Sequence, residues 1–309
     1  MSGYVLRRLL GMIPLLWAVA TVTFFLMHAV PGGPFAADGE RLQPETIAAL
    51  EERYGLDAGV AEQYVRFLGG LATGDLGISF QQNRPVTDVV AERIGPTVQL
   101  GLYAFVFAVV VGGALGTVSA VKKDRWPDYA GVAFTTVAAG VPSFVLAVLL
   151  IVVFALELGW ARVLGWNAFD PRAFVLPTVA LGLFPAAFIA RMTRAALIEA
   201  LEQDYVRTAR AKGLAERSVV LTHAVRNALI PVLTVAGPIL AGLVTGSFII
   251  EQIFEVPGIG RAFVRAVQTR DYGMIMGATL LYALVIALLN LVVDVLYGVV
   301  DPRTRVSAR

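Results

Sequence analysis

Residues 199–231 read EALEQDYVRTARAKGLAERSVVLTHAVRNALIP, a long polar stretch that lies between two apolar runs. Asp204 stands where a helix N-cap is expected, and Gly213 is the residue type that most readily ends a helix in the left-handed conformation. The pattern therefore predicts a short helix from Tyr205 to Lys212 and a second helix from Ala215 towards Ala228.

One face of the predicted short helix carries small or apolar side chains. Tyr205, Ala209 and Gly213 follow one another at four-residue spacing, and Leu197 and Leu201 extend the same row upstream. Polar side chains lie on other faces of this helix, at Arg207, Thr208, Arg210 and Lys212. Two interpretations stay open from the residues alone: a helix that passes displacements from a soluble partner to the membrane, or a solvated connection.

The composition is that of a polytopic membrane protein. Hydrophobic residues make up 57% of the 309 residues and charged residues only 16%. The absence of cysteine excludes a disulfide framework and a thiolate metal site. His28 and His223 are far apart in the sequence, so no metal site is predicted. No G-x-x-x-x-G-K-[ST] motif is present, and ATP is therefore expected to bind to another chain.

Six apolar runs are long enough to cross about 30 Å of hydrocarbon. The predicted fold is all-α, with a first region 1–97 that contains one span and a helical external segment, and a second region 98–309 that contains five spans. The first run exceeds the core of a signal peptide and is predicted to be an uncleaved span. The six predicted spans are Leu9–Val30, Val98–Val121, Ala130–Leu156, Phe174–Ala195, Ala228–Ile250 and Met274–Val300.

The distribution of charge predicts that both termini are cytoplasmic. With that orientation, 15 of the 25 basic residues lie inside, and the inner segments carry a net charge of +8 against −5 outside. Positive charge is retained on the cytoplasmic side of membrane proteins. The polar stretch 199–231 is then cytoplasmic, and residues 31–97 are external.

The external segment has the pattern of folded helices. Pro44 is placed to begin a helix that ends at Gly55, and a second amphipathic run from Val60 stops at the Gly74–Gly77 turn. Pro85 is placed to begin a third helix. These apolar stripes either pack on one another and on the ends of the spans, or form a platform for an extracytoplasmic partner.

Two sets of residues inside the predicted spans stand out. Asn290 and Asp294 are one turn apart, and an acid within a span is a functional candidate by default. A structural hydrogen bond between these two side chains is the alternative interpretation. The second set consists of small residues that let helices approach closely in lipid: Gly112, Gly113, Gly116, Gly237, Gly242 and Gly246.

Several motifs carry a resemblance to a known family. The runs DYVRTARAKGL and HAVRNALIPV resemble the cytoplasmic loop of the permeases of ABC importers, with Ala209 and Gly213 at the positions of the family's second alanine and glycine. Arg207 and Thr208 stand where the broader family carries Glu-Ala, a departure typical of the oligopeptide and dipeptide branch. The segments QYVRFLGGLATGDLGISF, EQIFEVPGIGRAFVRAVQTRDYG and VVDPRTR are similar to the first of the two permeases of that branch.

The resemblance implies a type I ABC importer permease fold in a prokaryotic plasma membrane. It implies four kinds of partner: a second, similar permease, two ATPase subunits that carry ATP and Mg, an extracytoplasmic solute-binding protein, and the lipid bilayer. The expected solutes are peptides or similar small molecules. The resemblance also implies that the cytoplasmic helix docks on the ATPase, through Asp204, Tyr205, Arg207, Thr208, Ala209, Arg210, Lys212 and Gly213.

Two other function classes are weighed against the permease. An ion-coupled secondary transporter usually carries ionisable groups near the midplane and internal repeats, but Asp294 is the only acidic residue inside a predicted span. An intramembrane enzyme needs a catalytic constellation in the spans, and no catalytic residue is predicted. No nucleic acid is expected among the partners.

Overall fold

The computed structural model describes residues 2–31, 33–35 and 43–300, and for residues 2–4, 44, 293, 294 and 296–300 it describes the backbone alone. The predicted all-α class is confirmed, with one two-stranded hairpin added. The elements are α1 (Ser2–Ala29), α2 (Pro44–Tyr54), α3 (Val60–Ala72), β1 (Ile78–Ser79), β2 (Arg84–Pro85), α4 (Val86–Val121), α5 (Trp126–Gly140), α6 (Ser143–Leu150), α7 (Pro171–Leu201), α8 (Asp204–Ala211), α9 (Glu216–Ser218), α10 (Val225–Val244), α11 (Phe248–Ile253), α12 (Ile259–Gln268) and α13 (Tyr272–Val300). Two π-helical segments complete the helices: Ile151–Glu157 continues α6, and Val219–Ala224 joins α9 to α10.

Five helices are long and apolar enough to cross a membrane, and a bent pair makes a sixth span if it is counted as one. That pair, Trp126–Gly140 and Ser143–Glu157, corresponds to the third predicted span and is bent by 104°. The third predicted span is therefore divided into two helices, and its prediction as one run does not show the sharp break before Pro142. Val141 precedes Pro142 and takes an extended conformation, because the proline ring disfavours the helical region for the residue before it.

Two other predicted boundaries are wrong because a helix runs on from the soluble segment into the span. The third external helix and the second span form one helix, α4, which continues through Pro96. The second helix of the polar stretch likewise joins the fifth span, as one candidate span over Glu216–Val244. The fifth span ends earlier than predicted, because Gly246 adopts a left-handed φ of 83° before α11 begins.

The residues separate into two compact units. Unit 1 contains residues 1–95 and 257–291, and unit 2 contains residues 96–256 and 292–309. The division predicted from the sequence, into residues 1–97 and 98–309, stays a prediction.

Unit 1 contains the external helices that the sequence predicts. Gly55 ends α2 in the left-handed conformation, as expected, and α3 follows from Val60. The β-hairpin between α3 and α4 was not predicted. Its main-chain N–H groups at Phe80 and Gln81 donate to the carboxylate of Asp271, which also accepts from the Ser79 hydroxyl and the Met274 N–H.

Unit 2 is built around α7, which packs against α5, α6 and α10. Two of the predicted packing glycines lie at a close helix crossing, since a Cβ at Gly112 or Gly116 would overlap the backbone of α7. At Gly113 and Gly242, no atom of the described residues lies within 4 Å of the position that a Cβ would occupy, apart from chain neighbours and the helix's own backbone. The structure thus shows no close helix contact at these two glycines, and their packing role stays a prediction.

Candidate functional site

The cytoplasmic helix predicted within residues 199–231 is α8, Asp204–Ala211. Asp204 is not its N-cap, as the sequence suggested. Gln203 takes the extended capping conformation without a side-chain hydrogen bond, and Asp204 begins the first turn, where an acid is favoured by the helix dipole.

The C-terminal end of α8 is as predicted. Gly213 has a left-handed φ of 78°, and its N–H donates to the Arg210 carbonyl at 2.9 Å. The Leu214 N–H reaches back to the Ala209 carbonyl at 3.4 Å, which completes a Schellman motif. The turn after α8 therefore has a fixed geometry that depends on a residue without a Cβ at position 213.

The inner face of α8 packs on unit 2. Val206 and Ala209 are buried, at 0% and 6% exposure. They lie in one apolar cluster, whose other buried members are Ala120, Leu197, Ala200, Val219, Ala224 and Ala228. Ala209 is therefore covered by unit 2, so Tyr205, Ala209 and Gly213 do not form one exposed face. Docking of these residues on a partner stays a prediction. Val206, which does not belong to the row at four-residue spacing, is fully buried and holds α8 against this cluster.

The outer face of α8 is polar and exposed. Leu214, in the turn that follows, is 43% exposed and adds an apolar side chain to it. Seven of the eight predicted docking residues lie on this exposed side or its turn: Asp204, Tyr205, Arg207, Thr208, Arg210, Lys212 and Gly213. We call this set, with Leu214, the outer surface of α8.

Two ion pairs hold the polar side chains of this surface. The Arg210 guanidinium donates twice to the Glu216 carboxylate, at 2.7 and 3.2 Å, and this hydrogen bonding raises the pKa of Arg210 above its ordinary value. Arg207 lies 3.5 Å from the Asp204 carboxylate. Exposed pairs of this kind add little stability. Of the two pairs, the one between Arg210 and Glu216 spans the turn between α8 and α9 and orients the Arg210 guanidinium there.

A buried ion pair that sequence reasoning missed lies on α7, close to α8. Arg194 donates from Nε and Nη2 to the two carboxylate oxygens of Asp128 at 2.6 and 2.7 Å, and the Asp128 side chain is only 2% exposed. The Asp124 N–H donates a third hydrogen bond at 3.0 Å. The sequence offered two signals: Asp128 lies in the first turn of an apolar helix, and Arg194 lies in the last two turns of another. No periodicity in the sequence indicates that these two residues form a pair.

The structure describes only one side chain of the predicted intramembrane pair, Asn290 and Asp294. Asn290 lies on α13 and is exposed. The side chain of Asp294 lies outside the described residues, so the hydrogen bond between them remains a prediction.

Comparisons with known proteins cover the whole length of the chain. Residues 112–306 match the family described as "Binding-protein-dependent transport system inner membrane component", and residues 1–101 match its N-terminal companion family. The chain is 40% identical over 306 residues to the glutathione transport system permease protein GsiC of Escherichia coli, covering 99% of both chains. It is 43% identical over 308 residues to the oligopeptide transport system permease protein OppB of Salmonella typhimurium, covering 99% of this chain and 100% of that one.

Two solved structures share the fold. A chain of the MetNI methionine ABC transporter, in inward-facing conformations, matches with a TM-score of 0.55 and 19% identity, over 70% of this chain and 97% of that chain. A chain of an amino acid ABC transporter with histidines matches with a TM-score of 0.54 and 17% identity, over 68% of this chain and 93% of that chain.

Proposed function

The chain belongs to the family of binding-protein-dependent transport system inner membrane components, and on that premise we propose that it imports peptides or similar small solutes through a pathway gated from α8. It is a multi-pass inner-membrane permease of an ABC importer. The proposal concerns the solute, the partners and the surface through which ATP hydrolysis acts.

The relatives support a peptide as the solute. Similarity over nearly the full chain extends to permeases named for glutathione, which is a tripeptide, and for oligopeptides. The solute-binding protein is expected to select the solute, because the permease is expected only to provide the path. Small peptides that include glutathione are therefore the solutes to test first.

The single observation that carries the docking proposal is the geometry of α8. Its inner face is held by Val206 and Ala209 in the apolar cluster of unit 2, while its outer surface is exposed. A helix held in this way moves together with the end of α7. A partner that binds the outer surface of α8 can therefore displace the helices to which α8 is attached.

The proposed partner at this surface is an ATPase subunit. Arg207, Arg210 and Lys212 would face acids at the edge of a groove, and Tyr205 and Leu214 would provide apolar contacts. The complete assembly would contain a second permease, two ATPase subunits that bind ATP and Mg, and a solute-binding protein on the opposite side. Both termini and α8 would be cytoplasmic, which is the orientation that the distribution of basic residues favours.

In the proposed cycle, ATP binding closes the two ATPases and draws the docked helices together. The pathway then opens to the outside, where the binding protein releases its solute. A shift of a two-state gate from 1:99 to 99:1 needs about 5.5 kcal/mol of differential binding. Nucleotide and binding protein would share that free energy.

The test compares two glycines that have the same backbone strain. Gly213 and Gly159 have left-handed φ values of 78° and 65°. Within the part of the chain that the structure describes, no atom beyond their chain neighbours lies within 4 Å of the position that a Cβ would occupy at either glycine. A side chain in this conformation costs roughly 1–2 kcal/mol at either position. We expect Gly213→Val to disturb the turn that the ATPase contacts, and Gly159→Val to leave that contact unchanged.

The measurements are co-purification of the ATPase and solute-stimulated ATP hydrolysis in the reconstituted complex. Gly213→Val should insert in the membrane but lose its ATPase or hydrolyse ATP without transport, while Gly159→Val should behave like the wild type. Normal retention and coupling in Gly213→Val would mean that α8 is only a connection and that the ATPase docks elsewhere.

A further inference from the structure

The Asp128 carboxylate, which forms an ion pair with Arg194, accepts three hydrogen bonds. Both carboxylate oxygens accept from the guanidinium, and the Asp124 N–H supplies a third donor to the same group. Asp124 is itself held in a left-handed conformation, with φ of 60°, in the turn between α4 and α5. The carboxylate thus joins α7 both to the first turn of α5 and to the turn before it.

The position of Arg194 links this pair to the outer surface of α8. Leu197 lies one turn further along α7, is fully buried, and belongs to the apolar cluster that contains Val206 and Ala209 of α8. A displacement of α8 is therefore transmitted by packing to the last turns of α7. From there Arg194 passes it to α5 through two parallel hydrogen bonds.

Another ion pair in the same region, which is exposed to solvent, provides a contrast. Lys123 and Glu202 lie 3.4 Å apart, with side chains that are 46% and 68% exposed. A single long contact between solvated groups does not fix the relative position of two helices. A bidentate guanidinium–carboxylate pair does, because its two bonds define both distance and orientation.

We infer that Asp128 and Arg194 are positioning residues for transport: the pair makes α5 follow α7 and α8 when the ATPases close. The inference rests on the proposed function, since it assumes that α8 docks on an ATPase. It adds the route by which a movement of α8 reaches α5, which ends at the break before Pro142. The role inferred for the pair is to position helices, and it requires no contact with the solute or with nucleotide.

Three variants separate charge, geometry and folding. Arg194→Lys keeps the positive charge but loses the bidentate hydrogen bonding to the carboxylate. Asp128→Asn keeps the shape of the side chain but loses its negative charge. The double variant Asp128→Asn, Arg194→Gln removes both charges and leaves no unpaired ion in the protein interior. Lys123→Gln, which removes the exposed pair nearby, is the matched control.

The direct measurement is the distance between spin labels on α5 and at the start of α8 in the assembled complex. Because the chain has no cysteine, Val132→Cys and Gln203→Cys provide the two labels at exposed positions. We expect a narrow distance distribution that is the same with and without ATP in the wild type and in Lys123→Gln. In Arg194→Lys the distribution should broaden on ATP binding.

Transport should change with the label distances. We expect Arg194→Lys and Asp128→Asn to retain the ATPase and its basal hydrolysis while transport per complex falls roughly tenfold, the size typical of a lost coupling between two sites. The double variant should fold and retain the ATPase but remain uncoupled. Lys123→Gln should transport normally.

Three results would count against the inference. Unchanged label distances and normal transport in Arg194→Lys would overturn the role of the pair while leaving docking at α8 intact. Failure of all three variants to fold would reduce the pair to a folding contact. Failure of the wild-type permease to retain an ATPase would refute the proposed function, and this inference with it.

Discussion

Asp271 shows how much one buried carboxylate organises in unit 1. It is 2% exposed and accepts hydrogen bonds from Ser79, Phe80 and Gln81 of the hairpin and from Met274 in the first turn of α13. A carboxylate offers only acceptor sites, and all the neighbouring groups are donors. The residue therefore connects the hairpin to the start of a span.

Asp271→Asn should destabilise the permease by roughly 2–3 kcal/mol, because the amide turns a donor towards donors and leaves buried groups unsatisfied. The thermal unfolding of the purified permease is the measurement. Asp57→Asn, at an exposed position, is the matched control and should stay within about 0.5 kcal/mol of wild type. Equal unfolding temperatures for the two variants would show that Asp271 is not a structural anchor.

Single residues were predictable from the sequence where the signal is local. Gly55 and Gly213 were identified as left-handed helix ends, because the requirement is a property of the glycine itself. Asp271 and Asp128 were not identified, because their partners are far away in the sequence and no spacing pairs them. Ala209 was placed on the wrong face because several residues of a short helix satisfy the same spacing rule.

At the scale of elements, the crossing of α4 and α7 depends on glycine at two positions. A Cβ on Gly112 would overlap the Ala186 carbonyl oxygen, and a Cβ on Gly116 would overlap that of Ala190. Close approach of this kind replaces the hydrophobic driving force that is missing between helices in lipid. Gly113, one residue away, borders a cavity of about 190 Å³ in unit 2.

Gly112→Leu should force the two helices apart and destabilise the permease by roughly 1–3 kcal/mol, as overpacking typically does. Gly113→Leu is the matched control, since its side chain extends into open space, and it should be close to neutral. Both effects are measurable by thermal unfolding in detergent. If the two variants lost stability equally, the close crossing would not be what holds α4 against α7.

The existence of the helices was predictable from the sequence, but several of their ends were not. Apolar runs of about 20 residues identify spans because lipid requires them. Continuity between soluble and membrane segments has no such signal, so the joins inside α4 and between α9 and α10 were missed. The size of the bend before Pro142 could not be predicted, because the outcome at a proline depends on whether neighbouring groups satisfy the backbone.

At the scale of the whole molecule, the distribution of charge decides which side of the membrane each segment faces. The predicted inner segments carry a net charge of +8 and the outer segments −5. This asymmetry is a property of the sequence, and it predicts that α8 faces the side where ATP is available. The orientation remains a prediction that labelling can test.

Single cysteines at Thr73 and at Ser218 should differ in their reaction with a membrane-impermeant thiol reagent in intact cells. Thr73 follows α3 and should be labelled from outside, while Ser218 ends α9 and should be protected until the cells are permeabilised. The cysteine-free chain provides the blank. Labelling of Ser218→Cys alone in intact cells would reverse the orientation and remove α8 from the reach of a cytoplasmic ATPase.

The family could be predicted from the sequence because its motifs extend over most of the chain, and the comparisons confirm it. The docking contacts could not be predicted residue by residue, because exposure at α8 depends on which side chains the rest of unit 2 covers. The solute is not readable from the chain either. If a separate protein selects it, the permease carries no direct record of that choice.

Uptake of labelled glutathione or a tripeptide into proteoliposomes that contain the assembled complex tests the central claim most directly. The account predicts uptake that requires both ATP at the ATPase side and the solute-binding protein at the other, and that continues when a protonophore removes the proton gradient. Uptake that proceeds without ATP and stops when the protonophore is added would contradict it and would favour an ion-coupled transporter.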